Sequence, residues 1–161
     1  MFSFKRQRQE GGLQELLTSQ LHDEHTFYQS FMHDLEKCQE EVIIESPFIT
    51  SVRIDQLQPI FETLLSRGVK IYIMTRDPRE HKEGMEYQSE EAISYFERVG
   101  VQVFLCTGNH HRKLAILDRK LLWEGSLNIL SQTRSHEIMR RIESNELSMQ
   151  MFNFLKLGRY L

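Results

Sequence analysis

The sequence predicts an α/β fold, a mixed and largely parallel β-sheet sandwiched between helices, on three observations. Short β-branched runs at 41–45, 69–74 and 101–105 alternate with segments of helical periodicity at 55–67 and 89–99. That order, strand-helix-strand-helix-strand, builds right-handed crossovers and a parallel sheet with helices on its faces. Residues 112–118 and 121–124 then read as a hairpin turning near Asp118-Arg119-Lys120. Leu114, Ala115, Ile116 and Leu117 are apolar at both parities, which marks a central strand buried on both faces.

Residues 5–12 (Lys-Arg-Gln-Arg-Gln-Glu-Gly-Gly) are polar and end in two glycines, so 1–12 read as a flexible leader and 13–161 as a single domain. From Leu13 the apolar positions Leu16, Leu17, Leu21, Tyr28, Phe31, Leu35 and Cys38 recur at helical spacing, predicting one long amphipathic helix. The run Glu41-Val42-Ile43-Ile44-Glu45 is a strand, stopped by Ser46-Pro47. The helix over 55–67 places Pro59 in its first turn, where the missing N–H has no intrahelical partner to lose, and Gly68 ends it. Ser89 is the expected N-cap of the helix over 89–99, with Gly100 closing it. The last helix, about 144–157, carries Leu147, Met151, Phe154 and Leu155 on one stripe.

At 161 residues the length suits one domain with a real core. A composition of 40% hydrophobic and 27% charged residues argues against disorder. No apolar run reaches the roughly 18 residues a membrane span needs, and the start Met1-Phe2-Ser3-Phe4-Lys5-Arg6 lacks the apolar stretch of a signal peptide. Cys38 and Cys106 are isolated, which supports neither a disulfide framework nor a zinc site and points to a reducing cytoplasm. The net charge is −3, but seven basic against three acidic side chains between His110 and Arg141 give that stretch +4 and leave −7 for the remainder. A basic segment on an acidic body suits a localised anion site better than an extended coating of nucleic acid.

That segment reads His111-Arg112-Lys113-Leu114-Ala115-Ile116-Leu117-Asp118, followed by Gly125-Ser126-Leu127-Asn128. On a strand, side chains alternate, so His111 and Lys113 point the same way. Ser126 and Asn128 are likewise two apart, and Gly125 has no Cβ to obstruct a ligand's approach to the backbone. An imidazole, an ammonium, a hydroxyl and an amide around one anion make a phosphodiester site. Asp118 is out of parity with His111 and Lys113, so a structural role at the turn suits it better than catalysis. Ser46, Pro47 and Phe48 after the first strand, and Thr75, Arg76 and Asp77 after the second, are candidate rim residues, because ligands of open α/β sheets bind beyond the strands' carboxyl ends.

Other constellations fail. His136-Glu137-Ile138-Met139-Arg140 has arginine where a zinc protease needs its second histidine. His22 and His25 read as a solvated helical face, and the residue two after His110 is Arg112, so only His111 sets the register.

The pattern HxKxxxxD…GSxN resembles the signature of the phospholipase D superfamily, the HKD motif. A compact chain with one motif is most similar to the small bacterial endonucleases of that superfamily. The segment Ile44-Glu45-Ser46-Pro47-Phe48 also resembles the strand-to-loop passage that lines the family's pocket. The resemblance implies a phospholipase D-like fold and a two-step displacement. One histidine attacks phosphorus, a second protonates the leaving oxygen, and Lys113, Ser126 and Asn128 hold the non-bridging oxygens. It gives Glu137, nine residues beyond Asn128, the task of orienting the histidine, and Asp118 a structural one. It implies no metal and no cofactor. Because the family needs two motifs, it implies a homodimer with one shared site. A metal-independent nuclease is expected, with DNA preferred to RNA. The alternatives are a phospholipid or small phosphodiester hydrolase, and a non-catalytic, dimerising nucleic-acid-binding module of a larger helicase or restriction-type protein. The intact His111, Lys113, Ser126 and Asn128 count against the last.

Overall fold

A turn that captures its own backbone breaks the expected N-terminal helix. In the computed structural model, which describes residues 13–82 and 85–161, the Asp23 carboxylate accepts from the amides of His25 and Thr26 at 3.0 and 2.9 Å. This Asx turn ends a short edge strand, β1 (Gln20–Asp23), and releases the chain into helix α1 (Phe27–Glu36). The single helix expected from Leu13 to Cys38 is therefore a helical turn at 13–17, a strand and a second helix. His22 sits on the strand with its ring 4.9 Å from that of Trp123, not on a solvated helical face. The leader expected over 1–12 lies outside the described residues.

Strand β2 (Glu41–Glu45) follows, then helix α2 (Ser51–Ser66) and strand β3 (Lys70–Arg76). The helix starts four residues earlier than its sequence suggests, so Pro59 lies in its interior and not in the first turn. Both Pro59 and Asp55, whose carbonyl loses a partner, are on the exposed face, where water replaces the missing bond. Helix α3 (Met85–Val99) also begins before its expected cap. Ser89 is buried inside it, with its hydroxyl 3.1 Å from His81 Nδ1. Gly100 closes the helix at φ +105°, a conformation open to glycine at no cost. Strand β4 (Gln102–Cys106), the hairpin β5 (Leu114–Leu117) and β6 (Leu121–Gly125), strand β7 (Ile138–Glu143) and helix α4 (Asn145–Phe154) complete the order. Ser144 caps α4 by accepting from the Leu147 amide at 3.1 Å. Phe154, expected on its buried stripe, is 80% exposed.

The strands form one sheet in the order β1-β7-β6-β5-β2-β3-β4. The sheet is mixed. β2, β3 and β4 run parallel through their crossover helices, while the pairings β2–β5, β5–β6, β6–β7 and β1–β7 are antiparallel. β5 is central and every residue of it is buried. One face of the sheet, with Val42, Ile44, Ala115 and Trp123, packs on α1, α2 and α3. The other, with Ile43, Ile116 and Leu122, packs on α4 and the C-terminal turn. Trp123 and Arg141 both hydrogen-bond the buried carboxylate of Asp34, tying α1 to the strands. No helix among the described residues is long and apolar enough to cross a membrane.

Candidate active site

The hairpin register brings the motif's two halves together. Leu114 pairs with Glu124, so the residues just before β5 and just after β6 must emerge at the same end of the sheet. Gly125 pairs in turn with Met139, which adds the start of β7. This is also the carboxyl end of β2, since Glu45 lies opposite Leu114. A cavity of about 800 Å³ opens there, and His111, Lys113, Ser126, Asn128 and Glu137 all line it. His111 and Lys113 precede β5 and are not part of it, although their two-residue spacing still turns them together.

Lys113 Nζ lies 2.6 Å from His111 Nδ1 and donates to the His111 carbonyl oxygen at 2.9 Å. Burial, then the charges of Lys113 and Arg76, hold the His111 imidazole below its ordinary value. The ring is therefore neutral at neutral pH, the form that carries a lone pair. Burial also lowers Lys113, against the pull of Glu137. The Ser126 hydroxyl accepts from the Ile138 amide at 3.1 Å, and the Ser126 amide donates to the Ile138 carbonyl at 2.9 Å, so the serine is clamped to β7. Asn128 Oδ1 is buried without a hydrogen-bond partner. Glu137 lies near Lys113, and no side-chain hydrogen bond joins it to His111.

Two motif positions act elsewhere. A Cβ on Gly125 would stand 2.1 Å from the Ile138 carbonyl oxygen and 2.9 Å from Met139 Cα. The approach that demands glycine is thus that of β7, not of a ligand. Asp118, at the far end of β5, adopts φ +50° and accepts from the amides of Gln39, Glu40 and Glu41 at 2.8 to 3.0 Å. It brackets the entry of β2 and is remote from the cavity.

The rim candidates divide. Ser46 and Pro47 are buried, and Ser46 Oγ accepts from the Leu130 amide and donates to the Phe48 carbonyl, bracing two loops. Phe48 stands edge-on to the His111 ring at 6.1 Å. Arg76 hydrogen-bonds Asn109 and the Glu80 carbonyl beside the histidine loop. The sequence reading overlooked Glu45, His110, Arg112 and Arg140. The alternation that pairs His111 with Lys113 also pairs His110 with Arg112, and a charged residue ending the buried strand β2 was a further signal.

Residues 31–156 match the family model described as cardiolipin synthase, PLD-like domain. No curated protein sequence matches the chain. Among solved structures, the chain is similar to Nuc from Salmonella typhimurium, a phospholipase D family member, with a TM-score of 0.71 at 14% identity, covering 86% of this chain and 91% of that one. It is similar to NucT from Helicobacter pylori with a TM-score of 0.67 at 18% identity, covering 86% and 93%. It also resembles phosphatidylserine synthase from Haemophilus influenzae, with a TM-score of 0.67 at 14% identity, covering 88% of this chain and 38% of that one.

Proposed function

The chain belongs to the PLD-like domain family, and on that premise we propose that it is a metal-independent phosphodiesterase, a nuclease that cleaves DNA through a phosphohistidine on His111 at a site shared by two protomers. The observation that carries this reading is the convergence of His111, Lys113, Ser126 and Asn128 on one cavity from the two ends of a single hairpin. An incoming phosphate offers Lys113 a stronger acceptor than His111 Nδ1, which frees the ring to carry its proton there and to present Nε2 to phosphorus. The N–P bond forms as the P–O bond breaks, and the departing oxygen takes a proton from a second imidazole. Water then attacks phosphorus, that imidazole takes its proton, and the N–P bond breaks to regenerate His111. Lys113, Ser126 and Asn128 hold the non-bridging oxygens throughout.

The second imidazole comes from the same residue of another copy. His110 is turned toward Glu45 and His136 toward Glu24, at 3.3 and 2.7 Å, so neither serves within one chain. Glu137 is assigned to Lys113 and to the phosphohistidine side of the cavity. The two unpaired thiols, Cys38 and Cys106, suit a cytoplasmic setting.

A second reading, hydrolysis of a phospholipid or another small phosphodiester, draws on Leu21 and Ile138, which line the same cavity and are each 62% exposed. A plasmid-nicking assay with and without EDTA, run beside a short-chain phosphatidylcholine assay, separates the two. Nicking that persists in EDTA is expected. Nicking abolished by EDTA and restored by magnesium overturns the mechanism, and lipid cleavage without nicking favours the second reading.

A further inference from the structure

Behind the histidine segment lies a carboxylate with no access to water. Glu45 ends β2 and is 0% exposed, where the preceding Val42-Ile43-Ile44 would lead one to expect another apolar side chain. Its Oε2 accepts from Arg112 Nε at 2.5 Å and lies 3.3 Å from His110 Nε2, a contact whose angle falls outside hydrogen-bond geometry. Its Oε1 is buried with no partner. A buried carboxylate satisfied on one oxygen only is costly to keep, and packing alone gives no reason for it.

The reason is in the alternation of residues 110–113. His110 and Arg112 turn back to Glu45, and the residues interleaved with them, His111 and Lys113, turn to each other at 2.6 Å. The segment has no strand pairing of its own, because β5 begins at Leu114. Its lateral ties are therefore these side chains. We infer that Glu45 is a positioning residue for the His111–Lys113 pair, acting through Arg112 and His110. Arg159 on the C-terminal turn is a further cation near the carboxylate, and Cys106 on β4 is a further titratable neighbour. Burial pushes the Glu45 carboxyl upward while Arg112 draws it back, so the ion pair with Arg112 is what keeps the anchor charged.

The kinetic part of the test rests on the phosphodiesterase reading, and the spectroscopic part does not. Glu45→Gln keeps the volume and one acceptor oxygen while removing the charge. Arg112→Gln removes the other partner at a side chain that is 41% exposed. Imidazole titration by NMR, with the His111 signal assigned by its loss in His111→Asn, reads the pair directly. Burial and Lys113 hold His111 down, so a loosened segment should move its midpoint up toward the ordinary value of about 6.5. On bis-p-nitrophenyl phosphate, kcat should fall on the order of 10- to 100-fold with KM nearly unchanged, as misplaced reacting groups require. The double variant should be no worse than the poorer single one, because both remove the same tie.

A lowered melting temperature with the His111 midpoint and the kcat of the folded fraction unchanged would show a merely structural residue and overturn the inference. If Glu45→Gln does not fold, Arg112→Gln carries the test alone, and a wild-type midpoint in that folded variant overturns it. A wild-type chain that leaves the chromogenic diester uncut would sink the phosphodiesterase reading, and the NMR midpoints would still decide the positioning role.

Discussion

Replacing Asp118 with alanine should weaken the fold and spare the chemistry. The carboxylate accepts three backbone amides, those of Gln39, Glu40 and Glu41. Glu41 is part-buried, so its amide loses a charge-assisted bond worth about 1.5–3 kcal/mol. Gln39 and Glu40 are exposed and regain water, which leaves a loss of roughly 0.5 kcal/mol each. Alanine at φ +50° adds about 1 kcal/mol of backbone strain. The total is about 4 kcal/mol, or a melting temperature lower by roughly 10 °C for a chain of this length. His111 is seven residues away along an extended segment, roughly 20 Å at about 3.3 Å per residue. Thermal unfolding followed by circular dichroism, with plasmid nicking measured well below the transition, tests both halves. A variant that melts like the wild type and has lost its activity would refute the structural assignment of this motif aspartate.

His111→Asn should abolish turnover while the melting temperature stays within a few degrees, and adding it in excess to wild type should lower activity per wild-type chain, since mixed dimers lack one imidazole. Full activity from a monomer by light scattering would contradict the shared site. Gly125→Ala should destabilise the chain by roughly 2–4 kcal/mol, because its Cβ would meet the Ile138 carbonyl at 2.1 Å and force β6 from β7; a denaturant midpoint equal to wild type would show that β7 yields freely. Burial, then Arg112, His111 and Lys113, lower the His110 ring to about 4, below an unfolded value near 6.5. The unfolded chain therefore binds the proton first, and stability from this group is complete above about 6.5 and lost as pH falls toward about 4. Urea titrations across that window should show a shallower decline for His110→Gln than for wild type, and parallel curves would exclude the buried neutral ring.

The parallel half of the sheet was legible because each of its strands is a continuous β-branched run between helical segments. The two strands that escaped notice, β1 and β7, lack that signal. β1 is the four-residue edge Gln20–Asp23, with Leu21 62% exposed, and β7 carries Arg140 and Arg141. Their pairing depends on each other and on β6, and hence on tertiary context that periodicity does not express. The apolar spacing from Leu13 to Cys38 matched a helix across the Asp23 turn because local hydrogen bonds of one aspartate outweigh a periodic pattern. At the site, residue type and two-residue spacing were enough to group His111 with Lys113 and Ser126 with Asn128. Glu45 was not legible as part of that region, because its link to Arg112 crosses from β2 to the segment before β5.

The register of the β5–β6 hairpin acts as a ruler, and it governs where the gene can gain or lose codons. One extra residue in the turn Asp118–Lys120 would reverse the parity of everything after it, parting Ser126 and Asn128 from His111 and Lys113. The tip Thr133–Ser135 of the following loop is exposed, and Ser126 is already clamped to Ile138 beyond it. Insertions there lengthen a surface excursion and leave the four side chains in place. The spacing between the two halves of the motif is therefore rigid by geometry, while the distance from Asn128 to Glu137 is free to drift.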